Sequence, residues 1–594
     1  MKLIVCVLFV IANISNNGKA SLDSLVPMST NILFEDTTKN ADKSCYRPCK
    51  FNVKPRKCYY QFKIEPTILE DGRPALTVNG MTPGPPIHVC ANDIVVVEVK
   101  NKVVGQDMAI HWHGVEQKGT PYMDGVPMVT QCPISYGSSF KYAFRASSPG
   151  TFFYHADSVR HQSDGVYGAL IVNQPQPLEA HSSLYDFDRS QENTLIVAAK
   201  FPELITPKWE DSSQLKPSSL LVNGQEEDFK IFVLPSFAYR LRLINAIAIE
   251  CPVEVTVDGR EMVVIATDGK PVKPVSTSRI QLYPGERMDV VVRASEKMGG
   301  NWVRVRGDGA CRNLSASAML LRLGFNYTAM LVDGKKETFA KDSDSGIQTY
   351  GQNLESIQDV SNSIVDRSLI LSIDRHVLQF KDTDNDYRYI SDAIPKKPFF
   401  PASLSLADKG VVQINHKSFL YPNVPLLVRP NDVKKEIKCS MGEKDQSKDP
   451  QCLLALNAHP GEILELVLLN EGFGSNDSYT FHMHGYSMQI VATMQGSDGK
   501  PISKETFEQL DNDGKIKRNI QTPPLKDTVT VPNKGFTIVR IILDRGGSWL
   551  LECRSCSLAL PAALVVNVPE SLPKSLVDSF PKCGDYKPPD VLLH

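Results

Sequence analysis

Long hydrophobic runs, an excess of charge of one sign and long amphipathic helical patterns are all scarce in this sequence. The 594 residues include 65 basic and 67 acidic side chains, a formal net charge of -2. That balance gives no reason to expect a nucleic acid or an anionic membrane as a partner. The apolar run at residues 3–12 follows Lys2 and is too short to span a bilayer. We therefore predict a signal peptide at residues 1–20, no membrane span and a secreted protein.

The cysteine count agrees with export. Of the 13 cysteines, 12 remain once Cys6 is removed with the predicted signal peptide. An even number is compatible with complete pairing in an oxidising compartment. Asn313, Asn326 and Asn476 begin Asn-x-Ser/Thr triplets, which are glycosylation acceptors unless they occur by chance.

Short β-strand patterns fill most of the chain. Apolar and polar residues alternate between Gly, Pro, Asn and Asp, as at residues 94–99 and 463–469. A chain of this length exceeds a single hydrophobic core. The pattern predicts an all-β protein of Greek-key barrels or sandwiches in series.

Two segments recur in the same order near the two ends of the chain. His111-Trp112-His113-Gly114 corresponds to His482-Met483-His484-Gly485, and residues 150–157 correspond to residues 547–554. Residues 283–291 have the same turn-then-strand form without a histidine pair. This predicts a central domain without metal ligands.

The predicted organisation after the signal peptide has five parts. We expect a cysteine-rich segment at 21–60, domain 1 at 61–178, domain 2 at 190–333, a linker or surface loop with little fixed structure at 334–366, and domain 3 at 367–594.

The two His-x-His motifs carry the chemistry. Residues two apart on a strand point to the same face, so each motif places two imidazoles side by side, as a metal cluster requires. Five of the 12 histidines occupy repeat-equivalent places: His111, His113, His155, His482 and His484. The alternative, core histidines bonded to the backbone, explains this clustering less well.

These motifs, together with residues 119–125, Lys526-Asp527-Thr528-Val529 and Trp549-Leu550-Leu551, resemble the multicopper oxidases, most closely the insect laccase branch. The resemblance implies three cupredoxin-like domains. It also implies a blue type 1 copper that accepts an electron from substrate, and a three-copper cluster that reduces dioxygen.

The type 1 ligand positions implied by the resemblance are occupied here by Tyr479, Cys553, Leu558 and Ala563. A blue copper needs a thiolate between two imidazoles. Leucine offers no lone pair, and a tyrosine with an ordinary pKa of about 10 is protonated at neutral pH. We therefore predict that the blue copper is absent.

The three-copper cluster is only half retained. The resemblance places the type 2 copper at His111 and His482. The two type 3 positions correspond to His113, His155 and Arg554, and to Asp157, His484 and Glu552. We predict that Arg554 pairs with Asp157 or Glu552 beside a residual site for one copper or other divalent ion. Metal retention by Asp157, His484 and Glu552 is the alternative.

The resemblance also implies three disulfides: Cys132 with Cys583, Cys251 with Cys311, and Cys439 with Cys452. Cys45, Cys49, Cys58 and Cys90 would tie the cysteine-rich segment to domain 1. Cys553 and Cys556 form either a disulfide or a pair of buried thiols.

The function that these residues predict is that of a non-oxidase on an oxidase fold, with an unidentified extracellular protein or matrix partner. A laccase-like oxidase or ferroxidase is the main alternative. Metal binding or transport without redox turnover is a third.

Overall fold

The computed structural model describes residues 45–206, 216–322, 354–359, 364–377, 410–439, 451–581 and 583, with internal gaps at 228, 297–298, 416, 473–477, 497–499, 557–561 and 582. The predicted signal peptide, most of the predicted linker, Asn326, Asn476 and Leu558 lie outside these residues. Strands dominate the described part, so the all-β prediction is confirmed.

The first part of the chain forms two four-stranded sheets, with strand orders β2-β1-β4-β6 and β3-β8-β7-β5. Helix α1 (Val159–Ser163) lies between β7 and β8. The strands are β1 (Lys57–Ile68), β2 (Pro74–Val78), β3 (Ile87–Cys90), β4 (Ile94–Asn101), β5 (Ile110–His113), β6 (Ser139–Arg145), β7 (Gly150–Ala156) and β8 (Tyr167–Asn173).

The central part also forms two sheets, with orders β10-β9-β12-β17-β14-β15 and β11-β19-β18-β13-β16. Its strands are β9 (Thr194–Lys200), β10 (Ser219–Val222), β11 (Phe229–Val233), β12 (Ala238–Asn245), β13 (Val253–Val257), β14 (Met262–Thr267), β15 (Lys270–Thr277), β16 (Arg279–Leu282), β17 (Arg287–Arg293), β18 (Gly300–Gly307) and β19 (Ser315–Arg322).

The last part pairs a sheet of order β21-β20-β25-β30-β27-β28 with one of order β22-β24-β32-β31-β26-β29, to which β23 adds through β24. Helix α2 (Lys504–Asn512) follows β27, and α3 (Lys574–Ser579) follows β32. The strands are β20 (Arg367–Val377), β21 (Gly410–Ile414), β22 (Ser418–Phe419), β23 (Lys438–Cys439), β24 (Gln451–Asn457), β25 (Ile463–Asn470), β26 (Tyr479–Met483), β27 (Met488–Gln495), β28 (Leu525–Lys526), β29 (Thr528–Val531), β30 (Gly535–Ile542), β31 (Gly547–Cys553) and β32 (Ala562–Val568).

Core packing fixes the direction in which β5 and β26 present their histidines. Ile110 and Trp112 of β5 belong to the core of the first part. Successive strand residues point to opposite faces, so His111 and His113 point away from that core. Phe481 and Met483 of β26 pack in the core of the last part in the same way, which directs His482 outward.

The cysteines of the described residues are joined in six disulfides. Three match the pairs that the resemblance implied: Cys132–Cys583, Cys251–Cys311 and Cys439–Cys452. The others are Cys45–Cys58, Cys49–Cys90 and Cys553–Cys556. No helix within the described ranges is both long and apolar enough to cross a membrane.

The described end of the predicted linker is more ordered than expected. Leu354 is buried, and the Ser356 amide donates to the Thr522 carbonyl at 3.0 Å. Residues 354–359 therefore have fixed contacts, because an apolar side chain and a backbone pairing anchor them.

Candidate metal centre

Four imidazoles from three strands converge at one buried point. His111 and His113 lie on β5, His155 on β7 and His482 on β26, and all four are buried. Pairing of β5 with β7 sets His111 opposite His155. The rings of His113 and His482 stack with their centroids 3.7 Å apart. The fold therefore brings together histidines that are up to 371 residues apart in the sequence.

His111 and His482 face each other through their Nε2 atoms, which are 3.2 Å apart. His111 Nδ1 donates to the Asp124 carbonyl at 2.8 Å, and His482 Nδ1 donates to the Asp527 carbonyl at 3.0 Å. Because each ring uses its proton at Nδ1, each presents a lone pair at Nε2. Two lone pairs therefore point at each other.

His113 and His155 form a second pair of the same kind. His113 Nε2 lies 2.8 Å from the Thr528 hydroxyl, which itself donates to Asp527. His155 Nδ1 donates to the Ala156 carbonyl at 2.8 Å. The remaining nitrogens, His113 Nδ1 and His155 Nε2, face each other at 3.2 Å.

Burial keeps these four rings neutral. Desolvation, followed by the neighbouring imidazoles, holds the pKa of His111 well below its usual value. Burial likewise lowers the pKa values of His113, His155 and His482. Facing lone pairs on neutral rings are satisfied by a cation, and imidazole nitrogens suit copper or zinc. Ligand atoms of His111, His113 and His482 all lie within 4.8 Å of one another.

His484 is in a different electrostatic environment. Its Nδ1 lies 2.8 Å from Asp124 Oδ2, and its Nε2 lies 3.3 Å from Glu552 Oε1. Burial alone would lower the pKa of His484, but the carboxylates of Asp124 and then Glu552 outweigh it and raise the pKa to about 9. Both ring nitrogens face carboxylates, and the raised pKa favours the imidazolium, which offers no lone pair to a metal.

Arg554 lies beside this imidazolium. It donates to Glu552 Oε1 at 3.0 Å, to Gln162 Oε1 at 2.7 Å and to the Asp157 carbonyl at 3.0 Å. Burial would raise the pKa of Glu552, but Arg554 and His484 lower it to about 2. The predicted ion pair with Glu552 is therefore present.

The main-chain carbonyl of Asp157 accepts a hydrogen bond from Arg554. The Oδ1 atom of Asp157 is buried and has no hydrogen-bond partner among the described residues. Burial, and then the charge of Glu552, raise the pKa of Asp157 to about 7. The contact of Arg554 with Asp157 is therefore to the main-chain carbonyl and not to the carboxyl group.

The cluster borders a small cavity lined by His113, His482, Thr528, Arg554 and Gln162 among others. It has room for about one water-sized molecule. A bound ion at the histidine pairs would therefore have space for a solvent ligand.

Sequence reasoning missed the roles of Asp124, Asp527, Arg287 and Gln162. Asp124 and Asp527 lie in two of the motifs that carry the resemblance, at residues 119–125 and 526–529. Their place in these motifs was the signal that could have indicated a role at the site. Arg287 lies in the histidine-free central repeat, and nothing in its local pattern indicated its ion pair with Asp527.

Comparison with known families decides the assignment. Three models described as multicopper oxidase match residues 63–177, 187–322 and 421–559. The chain belongs to the multicopper oxidase family. Its assignment to the insect branch and its exact domain limits stay predictions.

Relatives and solved structures of multicopper oxidases cover most of the chain. It is 26% identical to an L-ascorbate oxidase of Cucurbita maxima, over 80% of this chain and 83% of that protein. It is 24% identical to Laccase-1 of Botryotinia fuckeliana, over 85% and 80%. The crystal structure of Fet3p, described as a multicopper oxidase that functions in iron import, has a TM-score of 0.67 and 21% identity over 86% of this chain and 90% of Fet3p. That structure supports the fold.

The resemblance places Tyr479, Cys553, Leu558 and Ala563 at the blue-copper positions of the multicopper oxidase family, and the structure describes three of these four residues. The Cys553 sulfur is bonded to Cys556. Tyr479 and Ala563 pack in the apolar core of the last part, while Leu558 lies outside the described residues. With its sulfur in a disulfide, Cys553 offers no thiolate to a metal.

Proposed function

We propose that this multicopper oxidase homologue is a secreted non-oxidase with an extracellular binding or structural role. The observation that carries the proposal is the Cys553–Cys556 disulfide, which lies in the same apolar core as Tyr479. Electron entry in the family requires a thiolate flanked by imidazoles. Cys553 supplies no thiolate, because its sulfur is in the disulfide, and Tyr479 supplies a phenol instead of an imidazole.

His111 and His482 are the ligands that we propose for one divalent ion, copper or another. Their neutral rings and opposed Nε2 atoms fit a metal. When bound, the ion supplies coordinate bonds that link β5 to β26. Asp157, His484 and Glu552 fit less well, because His484 has both nitrogens on carboxylates.

Secretion is supported by the disulfides, which persist in oxidising compartments. Asn313 is exposed and has a left-handed φ of 71°, so its side chain is accessible for glycosylation. The proposed partner is an extracellular protein or matrix component.

A laccase-like oxidase or ferroxidase is the second candidate. The names of the related ascorbate oxidase and laccase favour it. Metal binding or transport without turnover is a third candidate. A protein that contains metal but consumes no oxygen would distinguish it from an oxidase.

Copper-loaded protein should show no intense blue thiolate-copper band and no oxygen uptake with a diphenol or with ferrous iron. The reason is that Cys553 lacks both a free thiolate and neighbouring imidazoles. Absorption spectroscopy and an oxygen electrode make the measurement. Cys556→Ser is the matched control: it frees Cys553 but restores no imidazole, and should also stay colourless. Turnover by the pure wild-type protein would refute the non-oxidase proposal.

A further inference from the structure

Arg287 connects the histidine-free central part to the metal centre. It begins β17 and is completely buried. Its guanidinium forms two bonds to the Asp527 carboxylate, one of them Nη1 to Oδ1 at 2.6 Å. Further donors reach the Gly285 carbonyl at 3.0 Å and the Thr151 carbonyl at 3.2 Å. The fork is therefore held rigidly from two sides.

Asp527 in turn contacts both pairs of imidazoles. Its carbonyl accepts from His482 Nδ1 at 3.0 Å. Its Oδ1 lies 3.3 Å from His113 Nε2 and accepts from the Thr528 hydroxyl at 2.9 Å. One residue thus determines which nitrogen carries the proton on two rings, and therefore which nitrogen is free to bind a metal.

We infer that Arg287 is a positioning residue for the metal centre: by fixing Asp527, it makes His482 present Nε2 and His113 present Nδ1 as lone pairs. This inference rests on the proposed residual metal site. The neighbouring cation, Lys526, cannot take over, because it lies 3.2 Å from Asp268 and 3.3 Å from Glu286 and is bound there.

A purely structural role for Arg287 is the competing explanation, and Arg242 is the matched control for it. Arg242 is also buried, pairs with Asp188 at 2.6 Å and Asp289 at 3.2 Å, and donates to Thr151 Oγ1 at 2.7 Å. Like Arg287 it joins the central part to β7. Its hydrogen bonds and ion pairs with Asp188, Asp289 and Thr151 do not reach the cluster histidines.

The experiment compares full-length wild-type protein with Arg287→Met, Arg287→Lys and Arg242→Met. Titration with Cu(II), followed by calorimetry and by electron paramagnetic resonance, gives affinity and ligand geometry. Loss of an outer partner of a metal ligand costs roughly 10–100-fold in affinity. We expect that loss and an altered copper spectrum for Arg287→Met, a smaller change for Arg287→Lys, and wild-type values for Arg242→Met despite its lower melting temperature. Equal affinity losses in Arg287→Met and Arg242→Met, or none in either, would overturn the inference.

A second measurement separates this inference from the proposed metal site. Nitrogen-15 NMR of the metal-free protein reports imidazole tautomers directly. His482 should carry its proton on Nδ1 in the wild type and should lose that single preference in Arg287→Met or, if that variant does not fold, in Arg287→Lys. Unchanged tautomers would overturn the role of Arg287. If the wild type binds no metal but the Arg287 variant shows the expected tautomer change, only the proposed metal site is refuted.

Discussion

Replacing His111 or His482 by Ala should lower the affinity for Cu(II) by more than roughly 100-fold, the upper end of the loss caused by removing an outer partner. Each ring supplies one of the two Nε2 lone pairs that face each other at 3.2 Å. Each already donates its Nδ1 proton to a carbonyl. Neither ring is replaceable by its neighbour. Calorimetric titration of the metal-free protein gives the affinities.

His484→Gln provides the contrast, because the family resemblance would make His484 an equal ligand. Its nitrogens lie against Asp124 and Glu552, so we expect an affinity loss of about tenfold or less, typical of an outer partner. His181→Gln, which removes a buried imidazole bonded to the Val272 carbonyl, should bind as wild type does. A loss at His484 as large as at His482 would show that the ion occupies the alternative site.

The sequence was sufficient to predict that the histidines cluster, because strand periodicity and the internal repeat are local properties. His111 and His113 share a face through the alternation of β5. The repeat then predicts that β26 holds His482 in an equivalent place. The all-β architecture followed from the same alternation.

The protonation of His484 could not be predicted in this way. Its partner Asp124 lies 360 residues away in the sequence, in a turn whose packing depends on the assembled fold. The same holds for Arg287 and Asp527, which are 240 residues apart. Long-range ion pairs leave no periodic signal, so the motifs identified the ligand candidates but not their charge states.

The partners of Arg554 illustrate the same limit. Arg554, Asp157 and Glu552 occupy positions where the resemblance implies histidines, and their charges predicted an ion pair. Arg554 forms that pair with Glu552. The second partner is Gln162 on α1 rather than the Asp157 carboxylate. Side-chain type therefore predicted the kind of interaction, whereas the choice of acceptors depends on how the assembled fold places Glu552 and Gln162 around Arg554.

Replacing Arg554 by Met should lower the free energy of unfolding by about 3–5 kcal/mol, the usual result of breaking a buried ion pair from one side. The Arg554 and Glu552 side chains are 10% and 6% exposed. With Arg554 removed, the imidazolium of His484 remains between two carboxylates, Asp124 and Glu552, so one buried negative charge is uncompensated. Denaturant unfolding of the metal-free protein measures the loss.

The double variant Arg554→Met with Glu552→Gln distinguishes charge balance from packing. It removes both charges of the pair, and the glutamine oxygen can still accept from His484 Nε2, so its loss should be smaller than that of Arg554→Met alone. Arg312→Met breaks an exposed pair with Asp308, whose side chains are 74% and 56% exposed, and should change stability by less than about 1 kcal/mol. Arg554→Met could also lose no more unfolding free energy than Arg312→Met. In that case Glu552 would have to be neutral in the folded state. A neutral Glu552 would also leave Asp124 as the single carboxylate that keeps His484 protonated.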